Sequence, residues 1–220
     1  MTDYETVMTD IVEYYLEQIE KDASANGLND FRLAREEFHK LAGEFEEGEP
    51  WFEVRMTMFL DWYLLERRGQ DGRTPCERYL ANHGAALDES GRTCLMNLRV
   101  SLRSVFQIDA VIGDSVILSD LIGGGEWQVV WNTATAGLTA NSILNTRLML
   151  SPDRIIAGRG TVLHPPDADE HITRIIDRGI AEQMQRERLV YYLDKVRLKL
   201  DRYANVRIKH VYQYPGDAAF

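Results

Sequence analysis

Hydrophobic residues in the first hundred positions recur at the spacing of an α-helix. The densest run lies within residues 49–80, where three- and four-residue steps place apolar side chains on one face. These side chains are at positions 52, 56, 59, 60 and 63. After the break at "GQDGR", Thr74-Pro75 has the form of an N-cap followed by a first-turn proline. The pattern predicts helices over residues 2–22, 30–42, 50–65 and 88–99, and a short one that begins at Thr74-Pro75.

The hydrophobic pattern changes near Val105. From there, β-rich runs such as "SVFQIDAVIGDSVILSDL", "ILNTRLML" and "RIIAGRGTVLH" are separated by Gly-Asp and Gly-Gly-Gly breaks. Runs of this composition between turn residues are typical of strands. About five short strands within about 60 residues indicate a small antiparallel β-barrel or a curled sheet.

The last fifty residues combine a helical pattern with a strand pattern. Acidic residues follow Pro166, where carboxylates suit a helix N-terminus, and predict a helix over 167–203 with a bend at Gly179. Its leucine stripe covers about two heptads, which favours packing on the chain's own helices over a homodimer seam. Residues 206–214 alternate and predict a terminal strand, which completes the sheet or offers an edge for a partner or a second copy.

These elements predict an α+β fold in three parts. Residues 1–104 form a helical region, residues 105–166 form a small β-barrel-like module, and residues 167–220 form a long helix plus a terminal strand that packs on the rest. At 220 residues the chain has ample length for a buried core.

Charge is distributed unevenly along the chain. The formal net charge is −10, and residues 1–53 alone carry fifteen acids against four bases. An acidic helical region repels phosphates, which argues against nucleic-acid binding by this part.

Cysteine use and the N-terminal sequence favour the cytoplasm. The two cysteines, Cys76 and Cys94, form no CxxC pair, and a chain of this size needs no disulfide. The first residues have neither the basic nor the apolar region of a signal peptide. The apolar run at 51–65 contains charged residues and is shorter than the roughly 20 residues of a membrane span. We therefore predict a cytoplasmic protein without a membrane partner.

The segment "FLDWYLLERRGQDGRTPCERYL" contains a motif of two parts. The pattern joins F-x-D-W-hydrophobic-L to T-P-x-E-x-aliphatic through a short glycine-containing loop. Its residues here are Phe59, Asp61, Trp62, Leu64, Gly72, Thr74, Pro75, Glu77, Tyr79 and Leu80. It resembles a group of bacterial proteins, many of which end in the cysteine-rich SEC-C zinc motif.

The resemblance extends over about residues 58–166 into the β region. There the group has a "D-L-x-T-G-E" turn and a later "x-A-R-L" strand, and this chain has Asp120-Leu121 before Gly123-Gly124-Gly125-Glu126, then Thr146-Arg147-Leu148. The threonine of the turn is missing and one glycine is extra. The resemblance implies architecture and brings no activity with it. The zinc motif is absent from this sequence, so no metal and no cofactor are predicted.

The candidates for catalysis and metal binding are incomplete. "GDSV" at residues 113–116 is similar to the nucleophile motif of GDSL-type hydrolases, but no D-x-x-H follows and a Gly-Asp hairpin turn explains it. Glu36 and His39 have the spacing of a di-iron ligand pair, and a second such pair is missing. His164 and His171 flank acidic residues that already suit a helix start. A hydrolase or metalloenzyme is therefore the least favoured class, and no catalytic residue is predicted.

A basic and aromatic set in the second half predicts an alternative function. If the arginines gathered on one barrel face beside tryptophans, they would form a platform for single-stranded nucleic acid or a nucleotide. The candidate residues are Trp127, Trp131, Arg147, Arg159, Arg207 and Lys209. Strand arginines that face water are the plainer interpretation.

Asp61 lies in an otherwise apolar helix beside Trp62. A buried carboxylate must be paired or protonated, and we expect Arg55, Arg67, Arg99 or Arg103 to pair with it as a clamp between helix and barrel. The leading functional hypothesis is a non-enzymatic adaptor or regulatory module that acts through protein–protein contacts.

Overall fold

The computed structural model describes residues 3–25, 28–131, 137–151, 154–203 and 205–215. The N-terminal helices are α1 (Asp3–Ala25), α2 (Leu28–Ala42), α3 (Phe52–Leu65), α4 (Pro75–His83) and α5 (Glu89–Arg99). The strands are β1 (Leu102–Ile112), β2 (Ser115–Asp120), β3 (Glu126–Val130), β4 (Ile143–Leu150), β5 (Ile155–Ala157) and β6 (Val162–Leu163). A 3₁₀ turn at Pro166–Ala168 leads into α6 (Asp169–Ala181), α7 (Arg186–Arg202) and α8 (Ile208–Val211). The α+β class predicted from the sequence is confirmed.

Helix α3 is the centre of the N-terminal helical layer. Most of its residues are buried, from Met58 and Phe59 through Trp62 to Leu65. The ring of Phe38 on α2 lies 5.6 Å from that of Phe59 and 5.4 Å from that of Trp62, between ring centroids. A helix that is apolar on nearly every side is expected in a core, which accounts for the density of aromatic residues in this stretch.

Helix α4 begins at a complete capping box. Thr74 accepts a hydrogen bond from the Glu77 backbone N–H, the Glu77 side chain accepts from the Thr74 N–H, and Pro75 occupies the first turn. These contacts satisfy two backbone donors that a helix start otherwise leaves without partners. The T-P-x-E segment thus has a local structural purpose.

The five main strands close into a barrel. Their order is β1-β2-β3-β5-β4, and β4 pairs back with β1. The β3–β5 pairing is parallel and the other pairings are antiparallel. Gly113, with a φ of +65°, allows the two-residue turn between Ile112 and Ser115, so the "GDSV" segment is a hairpin turn as predicted.

Apolar side chains fill the interior of the barrel, and helices cover one side of its outer surface. Its interior holds Phe106, Ile108, Leu118, Val129 and Leu144, all fully buried. Alternate residues of β1 and β4 point outward, where helices cover them, and all but the last residue of β4 are buried. A strand buried on both faces carries no alternation of polar and apolar residues.

The predicted continuous helix over 167–203 is wrong, because the chain breaks between α6 and α7. Gln183 has a φ of +56°, and the Met184 N–H donates to the Gly179 carbonyl at 2.8 Å. A Cβ on Gly179 would lie 2.5 Å from Leu189 of α7, so this glycine permits the close approach of the two helices. The break lets both helices bury their apolar faces in one cluster.

The predicted terminal strand over residues 206–214 is also wrong. Its centre forms the short helix α8, and Val211, Tyr212 and Tyr214 are buried in the cluster that also includes α6 and α7. A strand needs a neighbour to satisfy its backbone groups, and the described strands of the barrel are already paired into a closed ring. On α7, Leu189, Leu193 and Val196 are buried within the same chain, whereas Tyr203 at the end of the stripe is 55% exposed.

We expect Thr74→Ala to lower the free energy of unfolding by about 1 kcal/mol, because the N-cap hydrogen bond is lost. Urea unfolding followed by circular dichroism measures the change. Thr173→Ala on the exposed face of α6 is the control, and a change beyond about 0.5 kcal/mol is not expected there. Equal stability of wild type and Thr74→Ala would contradict the structural purpose assigned to the T-P-x-E segment.

Candidate functional site

Two buried arginines lie side by side on the covered face of the barrel. Arg103 of β1 and Arg147 of β4 are directly opposite in the strand register, and they are 7% and 2% exposed. Like charges in this position repel each other, and a buried charge without a partner is costly. Carboxylates from the helices that cover the barrel must therefore neutralise them.

Arg147 is held by the end of α3. Its Nη2 forms a short ion pair with Glu66, and its Nη1 donates to the Ser101 hydroxyl at 3.1 Å. The Tyr191 hydroxyl of α7 donates to the other Glu66 oxygen at 2.8 Å. Glu66 therefore joins the barrel to both α3 and α7.

Arg103 is held by α7. Its Nη2 donates to Asp194 Oδ2 at 2.9 Å, and its Nη1 donates to the Gly160 carbonyl at 3.2 Å. Arg55 of α3 is 1% exposed and donates to the Asp194 carbonyl at 2.8 Å. Burial lowers the pKa of Arg55 to about 10, although the Asp194 carboxylate acts in the opposite direction.

A chain of neutral groups extends this network to the C-terminal segment. Asn145 Nδ2 donates to Asp194 Oδ1 at 2.8 Å, so the amide oxygen of Asn145 faces His164 Nε2 at 3.1 Å. An amide oxygen only accepts, hence His164 carries its proton on Nε2 and its Nδ1 accepts from the Tyr212 hydroxyl at 2.8 Å. Burial lowers the pKa of His164 to about 3, which keeps this imidazole neutral.

Asp61 connects α3 to the barrel, but through a residue other than those expected. Arg147 Nε lies 3.7 Å from Asp61 Oδ2, whereas Arg67 pairs with Asp30 and Glu37. Arg99 lies 3.5 Å from Glu77, and Arg55 and Arg103 reach Asp194 as described above. Spacing in sequence does not reveal such pairs, since Asp61 and Arg147 belong to separate elements.

Asp120 holds the turn that follows β2. Its Oδ1 accepts hydrogen bonds from the Ile122 and Gly123 N–H groups, each at 3.0 Å, and from the Ser104 hydroxyl at 2.6 Å. Arg186 at the start of α7 lies 3.3 Å from Asp120 Oδ2. The "DLIGGGE" segment is thus tied to both β1 and α7.

The structure does not assemble the nucleic-acid platform considered from the sequence. Arg147 faces the helices and is buried, Trp131 is 8% exposed and Trp127 is half-buried. Arg159, Arg207 and Lys209 are exposed, but Arg207 and Lys209 belong to the α8 segment and not to a barrel strand. The interpretation of Arg147 as a surface residue is wrong, because the outward side of β4 is the side that the helices cover.

The candidate reactive groups are held apart. At the hairpin, the hydroxyl of the half-exposed Ser115 donates to the adjacent Asp114, with 3.4 Å between their side-chain oxygens. Across the described residues, no three histidine, cysteine or acidic side chains gather as metal ligands would. Burial raises the pKa of the Cys76 thiol to about 12 and that of Cys94 to about 11, which makes both poor nucleophiles.

A groove lies between α1, α3 and the β4–β5 edge of the barrel, with a volume of about 190 Å³. We call it the Asp61 groove. Its apolar lining is Val12, Leu16, Leu60, Leu64, Met149, Ile156 and Ala157, and its polar lining is Glu17, Glu20, Thr57, Asp61 and Arg159. Glu17 is exposed and Glu20 is half-exposed, whereas Asp61 is 6% exposed.

The Asp61 carboxylate is incompletely satisfied. No hydrogen bond reaches its Oδ2 from any described residue, and the same is true of Arg147 Nε, its nearest cationic atom. Burial raises the pKa of Asp61, while Arg147 acts against that rise. This unsatisfied oxygen is buried beside Arg147 and does not open into the groove. The sequence singled out Asp61 as a structural clamp, whereas Glu17 and Glu20 do not stand out among the many acids of these helices.

No family model, curated protein or solved structure matches this chain. The resemblance to proteins with the SEC-C motif therefore stays a prediction. Among the described helices, none is long and apolar enough to cross a bilayer.

We expect Arg147→Met to lower the free energy of unfolding by about 3–5 kcal/mol, because two carboxylates lose their buried partner. Chemical denaturation measures the loss. Arg174→Met, at an exposed arginine of α6, is the control and should stay within about 0.5 kcal/mol of wild type. Similar losses in both variants would show that Arg147 does not hold the helices as described.

Stability should also fall as the pH is lowered from about 6.5 towards 3. The folded-state pKa of His164 is about 3, below the usual value of about 6.5, so the unfolded chain binds more protons in this window. Linkage then makes stability rise with pH here, by up to about 1.4 kcal/mol per pH unit for one proton.

The measurement is denaturation at a series of pH values between 4 and 6.5. We expect His164→Gln to show a smaller slope than wild type. His210→Gln, at an exposed histidine of α8, is the control and should retain the wild-type slope. An unchanged slope in His164→Gln would contradict the neutral imidazole.

Proposed function

We propose that the protein is a non-enzymatic adaptor or regulatory module that acts through protein–protein contacts, and that a segment of its partner docks in the Asp61 groove. The observation that carries this proposal is the groove itself: an apolar trough whose charged lining consists of Glu17 and Glu20 on α1, Asp61 on α3, and Arg159. Apolar surface supplies affinity on docking, and the charged side chains that line the groove supply specificity.

The size of the groove favours one side chain of a large partner. Pockets for drug-sized ligands have volumes of about 300–1,000 Å³, and the Asp61 groove has about 190 Å³. One anchoring side chain that fills a pocket is a common core of a protein interface. The rest of such an interface would lie on the helical layer around α1.

Charge complementarity favours a basic partner. Glu17, Glu20 and Asp61 line the groove together with one base, Arg159, and residues 1–53, which include α1, carry a net charge of −11. The same charge repels nucleic-acid phosphates. A partner segment that carries lysine or arginine among apolar residues fits this surface.

Selection of displayed random peptides on the immobilised full-length chain tests the proposal. We expect enriched peptides to combine basic and apolar residues, and fluorescence anisotropy gives their affinity. Thr57→Tyr, which fills the groove from α3, should weaken binding at least about tenfold, whereas Thr57→Ser should not. This factor corresponds to about 1.4 kcal/mol of binding free energy.

A second variant changes only charged side chains at the surface. Glu17→Lys with Glu20→Lys reverses charge on α1 and should weaken the same peptides, while Glu126→Lys on the exposed face of β3 should leave them bound. Peptides that bind all variants equally, or the absence of any enriched peptide, would contradict the proposed docking surface. Displacement of the peptides by single-stranded oligonucleotides would favour the nucleic-acid alternative instead.

A further inference from the structure

We propose that the partner's anchoring side chain is the ring of a phenylalanine, and that a basic residue beside it in the partner meets Glu20 at the α1 rim of the Asp61 groove. This assignment rests on the proposed docking function and names the chemistry of the anchor. It follows from the volume of the groove, the contacts of its polar groups, the character of its walls and the charge at its rim.

The groove has room for one aromatic ring. Its volume is about 190 Å³, and an apolar cavity of about 150 Å³ holds a benzene molecule. The groove is open to solvent on one side, so the peptide backbone that carries the ring stays outside. A single phenylalanine side chain therefore fills it.

The two polar side chains of α3 in the groove already interact within the chain. The Thr57 hydroxyl donates to the Glu53 carbonyl at 2.9 Å. The Asp61 oxygen without a hydrogen bond is buried beside Arg147, 3.7 Å from its Nε. A charged or polar group that enters an apolar site without a hydrogen-bonding partner loses free energy. These contacts favour an uncharged, apolar anchor.

The walls of the groove suit an aromatic ring in particular. Met149 of β4 and Ile156 of β5 are paired in the strand register, and both line the groove. A thioether sulfur makes favourable contacts with the edge of an aromatic ring. That edge carries partial positive charge, so it also suits the side of the groove where the Asp61 carboxylate lies. A saturated side chain of equal size gains neither contact.

The charge at the rim places the partner's basic residue on the α1 side. Glu17 lies 3.6 Å from Lys21, whereas the half-exposed Glu20 forms no ion pair with any described residue. Arg159, which follows β5, puts a positive charge on the barrel side. Complementary charge at an interface contributes mainly to specificity and orientation.

A titration of the full-length protein with N-acetyl-phenylalaninamide tests the ring. In ¹H–¹⁵N NMR spectra we expect saturable shifts of the amide signals of Leu60, Asp61 and Met149. The cyclohexylalanine amide, of similar shape but without the ring charges, should bind at least about threefold more weakly. The lysine amide should bind at least about tenfold more weakly. Equal or tighter binding of either amide would overturn the aromatic assignment.

Variants locate the ring on the protein. Thr57→Tyr should remove the shifts that N-acetyl-phenylalaninamide causes, because the new side chain occupies the groove. Glu126→Gln, at an exposed acid of β3, should leave them unchanged. Saturable shifts that persist in Thr57→Tyr would place the ring elsewhere and overturn the assignment.

Dipeptide amides test the basic neighbour. The better of Lys-Phe and Phe-Lys should bind about twofold to fivefold more tightly than its glutamine counterpart, as expected of an exposed ion pair. This gain should vanish in Glu20→Gln and persist in Glu126→Gln. A gain that survives in Glu20→Gln would overturn the placement of the basic residue.

The two proposals fail in different ways. Selected peptides that bind wild type but not Thr57→Tyr, and that keep their affinity when each aromatic residue is replaced by leucine, would uphold the docking groove and overturn the ring. Saturable binding of N-acetyl-phenylalaninamide with no peptide binding would overturn the docking proposal, and with it the assignment to a partner's phenylalanine.

Discussion

Neutralisation of two adjacent buried arginines is the constraint on which this structure depends. Arg103 and Arg147 face each other across β1 and β4 under the helical layer. Glu66 and Asp194 come from two different helical segments and meet them there. A helix packed in another register would leave charge unpaired in the interior, at a cost of several kcal/mol per ion. The ion network therefore specifies how the helices sit on the barrel, whereas apolar burial supplies the general driving force.

The same network explains why its polar groups are poor candidates for chemistry. Tyr212, His164 and Asn145 form a continuous hydrogen-bonded chain to Asp194, and each group already has its donor or acceptor filled. These groups are enclosed between the barrel and the C-terminal helices. Asp61 differs, because it lies at the margin of the network and also lines a groove. Arg147 binds Glu66 closely and lies 3.7 Å from Asp61 Oδ2, which leaves that buried oxygen without a hydrogen bond from the described residues.

Local patterns predicted most of the elements, and the failures have a common cause. The helix beginning at Thr74-Pro75 and the turn at Gly113-Asp114 follow from capping and turn chemistry within a few residues. The predictions of a terminal strand and of an unbroken helix over 167–203 were wrong, because alternation and periodicity in the sequence do not show which other elements lie next to a segment in the fold. The five main strands are already paired into a closed barrel, residues 211–214 pack instead against the C-terminal helices, and the close approach of Leu189 to Gly179 favours a break.

The amino-acid sequence by itself determined the class of the fold, the position of α3 as a buried helix and the strand-rich middle. It also marked Asp61 as an acid within an otherwise apolar helix. These properties depend on side-chain period, turn residues and caps, which act over short distances along the chain. Only the tertiary structure decided which side of β4 is covered, that Arg147 is the partner of Asp61, and that Glu17 and Glu20 border the same groove. Those facts depend on contacts between residues far apart in sequence, and their geometry exists only once the barrel has closed and the helices have packed on it.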